Sequence, residues 1–389
     1  MAVDNLNIGL CCDAFPPIMD GVSVCVENYA YWLQKKVGGV GVITPNVPSA
    51  DYSKHEYEVL GYPSIPVPFR HPYVTGMAEM DPIYLSRLLQ RQFKIIHAHC
   101  PFSSGKAALR IAKVQNIPMV ATFHSKYRDD FKRVLKSGLV VDEVIKTIIA
   151  FYQQADEVWV PQESVKDVIY EYGYKGEVQV VDNGSDLVAD YSDEYFAGVR
   201  DELGVGRDEF VLLFVGQHIW EKGTRFIIET LEQIKDLPFR MFFVGTGYAA
   251  EDMKRMVREK GLEDKTTFVG VLTDRAQIKK YYAVADLFLF PSLYDNAPLV
   301  VREAAALHTP AVMVKDSTAS TILQDDFNGF LIENSIESFE NKLRGLAANR
   351  DLVRRAGIEA SHTIVRSWEN VVDEVLTRYR ALIERKKLF

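Results

Sequence analysis

Short apolar runs alternate along the chain with longer segments whose apolar residues recur every three or four positions. In the first half the runs are Asn7 to Cys12, Gly41 to Thr44, Ile95 to Ala98, Met119 to Phe123, Glu157 to Val160 and Val178 to Val181. The second half repeats the pattern with Phe210 to Val215, Arg240 to Val244, Thr266 to Val269, Leu287 to Phe290 and Ala311 to Val314. Runs this short predict buried strands, the periodic segments predict helices, and the alternation predicts βαβ units in parallel sheets. The polar, turn-rich stretch from Asp182 to Glu194 separates the two series and reads as a linker. Ser367 to Lys387 ends the chain as a helix, with Val371, Val372, Val375, Leu376, Tyr379, Leu382 and Ile383 on one face, able to pack on either half.

Composition narrows this picture. At 389 residues, 48% hydrophobic and 25% charged, each half is long enough to bury its own core. A net charge of −8 argues against nucleic acid as a partner, yet Asp81 to Val140 holds eleven lysines and arginines against three aspartates. Within that sector Lys126, Arg128, Lys132, Arg133 and Lys136 interleave with Tyr127, Phe131, Val134 and Leu135. Such a face suits an anionic membrane surface, and it equally suits a set of solvated helix faces. Cys11, Cys12, Cys25 and Cys100 show no metal-type spacing, which fits a reduced, cytoplasmic protein. No apolar run approaches the roughly 20 residues that span a bilayer, and the N-terminus lacks an export signal, so membrane contact is expected to be peripheral, on the inner face of the plasma membrane.

Candidate chemistry gathers at the predicted strand ends, where open parallel sheets bind ligands. Asp295 follows the strand Leu287 to Phe290, and Glu303 lies eight positions on, about two turns into the next helix; carboxylates there would accept hydrogen bonds from sugar hydroxyls. Lys222 stands at a loop-to-helix junction as a point charge suited to a diphosphate, or as an ordinary surface lysine. Gly21 opens a helix whose N–H groups can face an anion, and Gly245, Gly247 and Gly270 recur at strand ends. His124 leaves an apolar strand toward a polar loop. His97 and His99 share one strand face, which raises a metal, but no third ligand is evident nearby and no metal is expected. Nothing reads Asp-x-Asp, the pair that would hold a cation against a diphosphate, so neutralisation falls to Lys222 and helix N-termini.

Taken together, Phe15-Pro-Pro-Ile-Met-Asp-Gly-Val22, Ile96-His-Ala-His-Cys-Pro-Phe102, Thr122-Phe-His124, Val181-Asp-Asn-Gly-Ser-Asp186, Gly216 to Gly223 and Asp295 to Glu303 resemble the retaining glycosyltransferases of family 4 over nearly the whole chain. The resemblance implies the GT-B architecture: α/β, two Rossmann-like parallel-sheet domains facing a central cleft, with the C-terminal helix crossing back to the N-terminal domain. It implies an acceptor-binding domain over 1–187 with 367–389, and a nucleotide-sugar-binding domain over 188–366. By the same resemblance His124, Lys222 and Asp295 are catalytic, and Gly21, Gln217, Lys222, Gly270, Leu272, Asp295, Leu299 and Glu303 bind the donor. Lys222 would pair with the diphosphate, Asp295 face the hexose, Glu303 hold the ribose, and the backbone at Gly270 and Leu272 cradle the base.

The chain departs from that family's pattern at three places. Asp295 replaces the more common Glu, Gln217 stands where an arginine is usual, and Ala297-Pro298 replaces a frequent Phe-Gly, removing one N–H donor. The implied function is metal-independent, retaining transfer of a hexose from a nucleoside diphosphate sugar, with UDP-hexose expected. No cofactor is implied. The acceptor is a lipid of the diacylglycerol or ceramide type, or a surface polysaccharide. A catalytically silent sugar-nucleotide-binding subunit and a GT-B sugar-nucleotide epimerase are the rival readings, the departures at Gln217 and Pro298 supporting the former.

Overall fold

The computed structural model describes residues 6–48, 50–67, 73–78, 81–135, 137–206 and 208–388. Two compact units are present, one formed by 1–184 with 368–389 and the other by 185–367. The passage between them falls three residues before position 187. Ser185 already donates its N–H to the Arg366 carbonyl at 2.8 Å and bridges to Ser367, while Leu187 is buried in the second core.

The first unit holds β1 (Ile8–Cys11), β2 (Val40–Pro45), β3 (Glu58–Tyr62), the hairpin β4 (Ser64–Pro66) and β5 (Val74–Gly76), then β6 (Ile95–Ala98), β7 (Met119–Thr122), β8 (Glu157–Val160) and β9 (Val178–Val180). Its helices are α1 (Gly21–Val37), α2 (Pro82–Leu89), α3 (Ser103–Gln115), α4 (Tyr127–Val134), α5 (Gly138–Tyr152) and α6 (Val165–Glu171). Seven strands form a parallel sheet in the order β3-β2-β1-β6-β7-β8-β9. β1, β2, β6 and β7 are buried at every residue, which is why they read as unbroken apolar runs.

The second unit contains α7 (Asp193–Glu202), β10 (Phe210–Val215), α8 (Thr224–Gln233), β11 (Phe239–Val244), α9 (Ala250–Glu259), β12 (Thr266–Gly270), α10 (Arg275–Val284), β13 (Leu287–Leu289), α11 (Leu299–Ala306), β14 (Ala311–Val314), β15 (Phe330–Ile332), α12 (Ile336–Ala348) and α13 (Arg350–Thr363). Its parallel sheet runs β12-β11-β10-β13-β14-β15. In both sheets the order reverses beside the first strand, between β1 and β6 and between β10 and β13. Loops leave such a reversal in opposite directions and open a crevice at the strand ends.

The last helix, α14 (Trp368–Lys387), packs in the first unit. Its apolar stripe, Trp368, Val371, Val372, Val375, Leu376, Tyr379 and Leu382, is buried, and Lys36 of α1 pairs with Glu369 and Asp373 on its flank. β3 and β15 escape the apolar-run criterion. β3 is a partly solvated edge strand reading Glu58-Val-Leu-Gly-Tyr62, and β15 has only three residues.

Candidate active site

Lys222 and Asp295 meet at the reversal of the second sheet. β10 ends at Val215, and a loop leads into a single 3-10 turn, Trp220–Lys222. Gly223 then takes φ 76° and starts α8; a Cβ there would lie 2.8 Å from Pro291 Cγ. Glycine is therefore required for Lys222 to sit against the end of β13. Lys222 Nζ donates to Asp295 Oδ1, and Ser292 Oγ donates to Asp295 Oδ2 at 2.6 Å. Only 16% of the lysine side chain and 14% of the aspartate are exposed. Lys222 Nζ also lies 5.6 Å and 5.7 Å from the Phe290 and Tyr294 ring centroids. This is a largely desolvated ion pair.

A second charged group sits on α11, the helix that follows the Asp295 loop. Glu303 is buried; its Oε1 accepts from Arg275 Nη2 at 2.8 Å and its Oε2 from the Tyr282 hydroxyl at 2.6 Å. Arg275 grips Asp186 as well, through Nε at 2.8 Å and Nη2 at 2.6 Å. Burial works against the Arg275 charge, but the Glu303 and Asp186 carboxylates outweigh it and hold the guanidinium above its ordinary pKa. Glu303 is the fifth residue of α11, little more than one turn in rather than two, because the loop after β13 runs on to Pro298 before the helix begins. Leu299 is the first helical residue and is buried.

The remaining donor-side residues are separately placed. Gln217 is exposed in the loop after β10. Gly270 ends β12 with φ 87°, and its carbonyl accepts from Gly245 N at 2.8 Å; Leu272 packs partly on the core while Val271 is 57% exposed. A Cβ on Gly245 would stand 2.0 Å from the Gly216 carbonyl oxygen, so that glycine keeps two strand-end loops in contact.

In the first unit Gly21 is the first residue of α1 and is exposed, with open space where a side chain would be. The Asp20 carboxylate next to it caps the helix, accepting from Val22 N at 3.0 Å and Ser23 N at 2.8 Å. An anion at this helix start therefore meets a carboxylate already on two of the N–H groups. His124 lies just past β7, half-buried, with burial pushing its pKa down to about 4. Its Nε2 is 3.1 Å from His99 Nδ1. His97 is anchored by Tyr379 at 2.6 Å and Thr122 at 2.7 Å, and burial holds both His97 and His99 well below the ordinary imidazole pKa.

The basic segment divides in two. Arg128 is committed to Asp142 and lies 5.5 Å from the Tyr172 ring centroid. Lys126 precedes α4, where its carbonyl accepts from Asp129 and Asp130 N–H groups. Lys132 and Arg133 are exposed beside Val134, Leu139 and Val140, which are 60%, 81% and 48% exposed. Lys136 lies outside the described residues. No helix among the described residues is long and apolar enough to cross a membrane.

Several participants escaped the sequence reading. Arg275 and Tyr282 are seven positions apart on α10, a spacing that puts both on one face toward Glu303 and was readable in principle. Ser292 and Asp186 gain their meaning only from the partners that the fold brings them. Cys25, from α1, meets His99 and His124 at the sheet end, the third ligand-type side chain that spacing did not reveal.

Two tandem Rossmann-like parallel sheets make the GT-B architecture. HepE of Anabaena, solved in complex with UDP and glucose, has the same fold, with a TM-score of 0.77, 17% identity and coverage of 96% of this chain and 99% of that one. Family sequence models match in tandem, Glycosyltransferase Family 4 over residues 19–188 and Glycosyl transferases group 1 over residues 198–363. The chain is a glycosyltransferase belonging to family 4. Among its relatives is the alpha-monoglucosyldiacylglycerol synthase of Acholeplasma laidlawii, 25% identical over 85% of this chain and 86% of that protein. The enzyme of the same name from Streptococcus pneumoniae is 23% identical over 89% of this chain and 80% of its own length.

Proposed function

We propose that this chain transfers a glucosyl or closely related hexosyl group from UDP-hexose to the free hydroxyl of a diacylglycerol-type lipid, with retention and without a metal ion. The observation that carries this reading is the Lys222–Asp295 pair at the reversal of the second sheet. Arrival of the donor exchanges partners: the ammonium turns to the diphosphate, and the released Asp295 carboxylate accepts from sugar hydroxyls. Ser292 keeps one oxygen of Asp295 in place during that exchange. Glu303, held by Arg275 and Tyr282, presents a fixed carboxylate to the ribose.

The ammonium stabilises charge that develops on the departing diphosphate, an interaction stronger in the transition state than in the ground state. The departing phosphate oxygen takes the proton of the acceptor hydroxyl as the new glycosidic bond forms on the same face. No protein base is required. His124, kept neutral by burial, donates or accepts one hydrogen bond at the hexose.

The relatives' names support a lipid acceptor, and an α-glucoside made from an α-linked sugar nucleotide is a retained product. Exposed Val134, Leu139 and Val140 beside Lys132 and Arg133 support docking at an anionic bilayer. The test is incubation of the purified chain with UDP-glucose and diacylglycerol in anionic vesicles, in the presence of EDTA. An α-glucosyl lipid by mass spectrometry and proton NMR is expected. A β-linked product rejects retention, dependence on added magnesium rejects the metal-free step, and transfer to soluble glycans alone rejects the lipid.

A further inference from the structure

Three ligand-type side chains converge at the strand ends of the first unit. Cys25 Sγ, one ring nitrogen of His99 and one of His124 all lie within 4.8 Å of one another. They arrive from α1, from the end of β6 and from the loop after β7. In a filled tetrahedral zinc site, metal distances of about 2.0–2.3 Å put neighbouring donors roughly 3.3–3.6 Å apart. Movements of about an ångström, within side-chain reach, bring these three to that spacing.

One buried ring nitrogen of the cluster is also left unsatisfied. His99 is wholly buried, yet its Nε2 has no hydrogen-bond partner. Leaving such an atom unsatisfied is unfavourable, and native interiors rarely do so. Cys25 is 2% exposed, and its Sγ has only a long contact of 3.8 Å to Asn183 Oδ1. Burial keeps the imidazoles of His99 and His124 neutral, the form in which a ring nitrogen ligates. One thiolate with two imidazoles selects a borderline-soft ion such as Zn²⁺ or Co²⁺ over Mg²⁺ or Ca²⁺. Of the three residues only His124 is partly exposed, so an ion enters past its ring.

We propose that Cys25, His99 and His124 form an inhibitory zinc site. On binding, the Cys25 thiol proton passes to solvent as the sulfur–zinc bond forms, with no change of oxidation state, and a fourth position stays open to water. The His124 lone pair is then committed to the ion and withdrawn from the hexose. Inhibition thus rests on the role proposed above for His124, whereas metal capture does not.

The test is a titration of the chelator-treated full chain with Co²⁺, followed by a transferase assay with added zinc. One equivalent of cobalt is expected to give the intense tetrahedral visible bands together with a thiolate-to-cobalt charge-transfer band, both displaced by zinc and unaffected by magnesium. Cys25→Ser and Cys25→Ala, checked for an unchanged circular dichroism spectrum, lose the charge-transfer band. They keep basal transfer while the zinc concentration that halves activity rises at least roughly tenfold, or 1.4 kcal/mol. Absence of the band in the wild-type chain, its persistence in both variants, or equal zinc inhibition of all three proteins overturns the site. A band without inhibition overturns the regulatory role. A chain with no transferase activity but a Cys25-dependent band counts against the proposed function and leaves metal capture standing.

Discussion

The two units present the same structural opening, a parallel sheet whose order reverses beside its first strand, but they furnish it with opposite chemistry. At the end of β10 and β13 the second unit places full charges in pairs: Lys222 with Asp295, and Arg275 with Glu303 and Asp186. At the end of β6 and β7 the first unit places neutral groups, His97, His99, His124 and Cys25. The Asp13 carboxylate, after β1, is spent on capping α3 through Ser103 and Ser104. Burial accounts for the neutral histidines but not for the charges. A charge at a partly desolvated strand end persists only with a partner, whereas an imidazole without one stays neutral. On the proposed function, one opening exchanges charges with a ligand and the other offers it uncharged hydrogen bonds.

Removing one charge should break this contrast most sharply. Lys222→Ala is expected to lower turnover by roughly 100–1000-fold, about 3–4 kcal/mol of transition-state stabilisation. Steady-state assay of the variant measures this, and unchanged turnover would remove Lys222 from the reaction.

Acid should separate the units by their histidines. Burial, with Lys254 nearby, depresses His218 of the second unit from 6.5 to about 4. The unfolded chain takes up a proton through pH 6.5 that the folded unit refuses, so stability present at pH 7 is lost as pH falls toward 4. His218 accounts for at most about 3 kcal/mol of that loss. Among the described residues the first unit holds four depressed histidines, His55, His97, His99 and His124, against His218 and His308 in the second, so its amide exchange should accelerate more between pH 7 and pH 5. Equal acceleration in the two units would contradict the assignment of its histidines as neutral.

Tyr282→Phe removes the hydroxyl that donates to buried Glu303, and about 1–2 kcal/mol should disappear from the second unit's stability in urea melts. An unaltered midpoint would mean that Arg275 alone holds the carboxylate. The smallest effect is expected at the exposed edge of the first unit. Leu139→Asp should weaken binding to anionic vesicles by about tenfold, roughly the 1.5 kcal/mol of one leucine's apolar transfer, with folding intact. Flotation at low and high salt reads it, and equal flotation of both proteins would reject the lipid-facing role of this edge.

The apolar runs located eleven of the fifteen strands among the described residues, because strands covered on both faces of a parallel sheet carry their signal locally. The edge strand β3, the short β15 and the hairpin of β4 and β5 lacked that coverage and left no comparable trace. Likewise the order of motifs along the chain was sufficient to recognise family 4. What residue order alone left open was pairing. That Lys222 faces Asp295 across 73 positions, that Arg275 joins Glu303 to Asp186, and that Cys25 reaches two histidines depended on which strand ends the sheet order set side by side. Periodicity records how each segment meets water or core. Contacts between segments far apart in the chain are recorded only in the packing that closes the sheets.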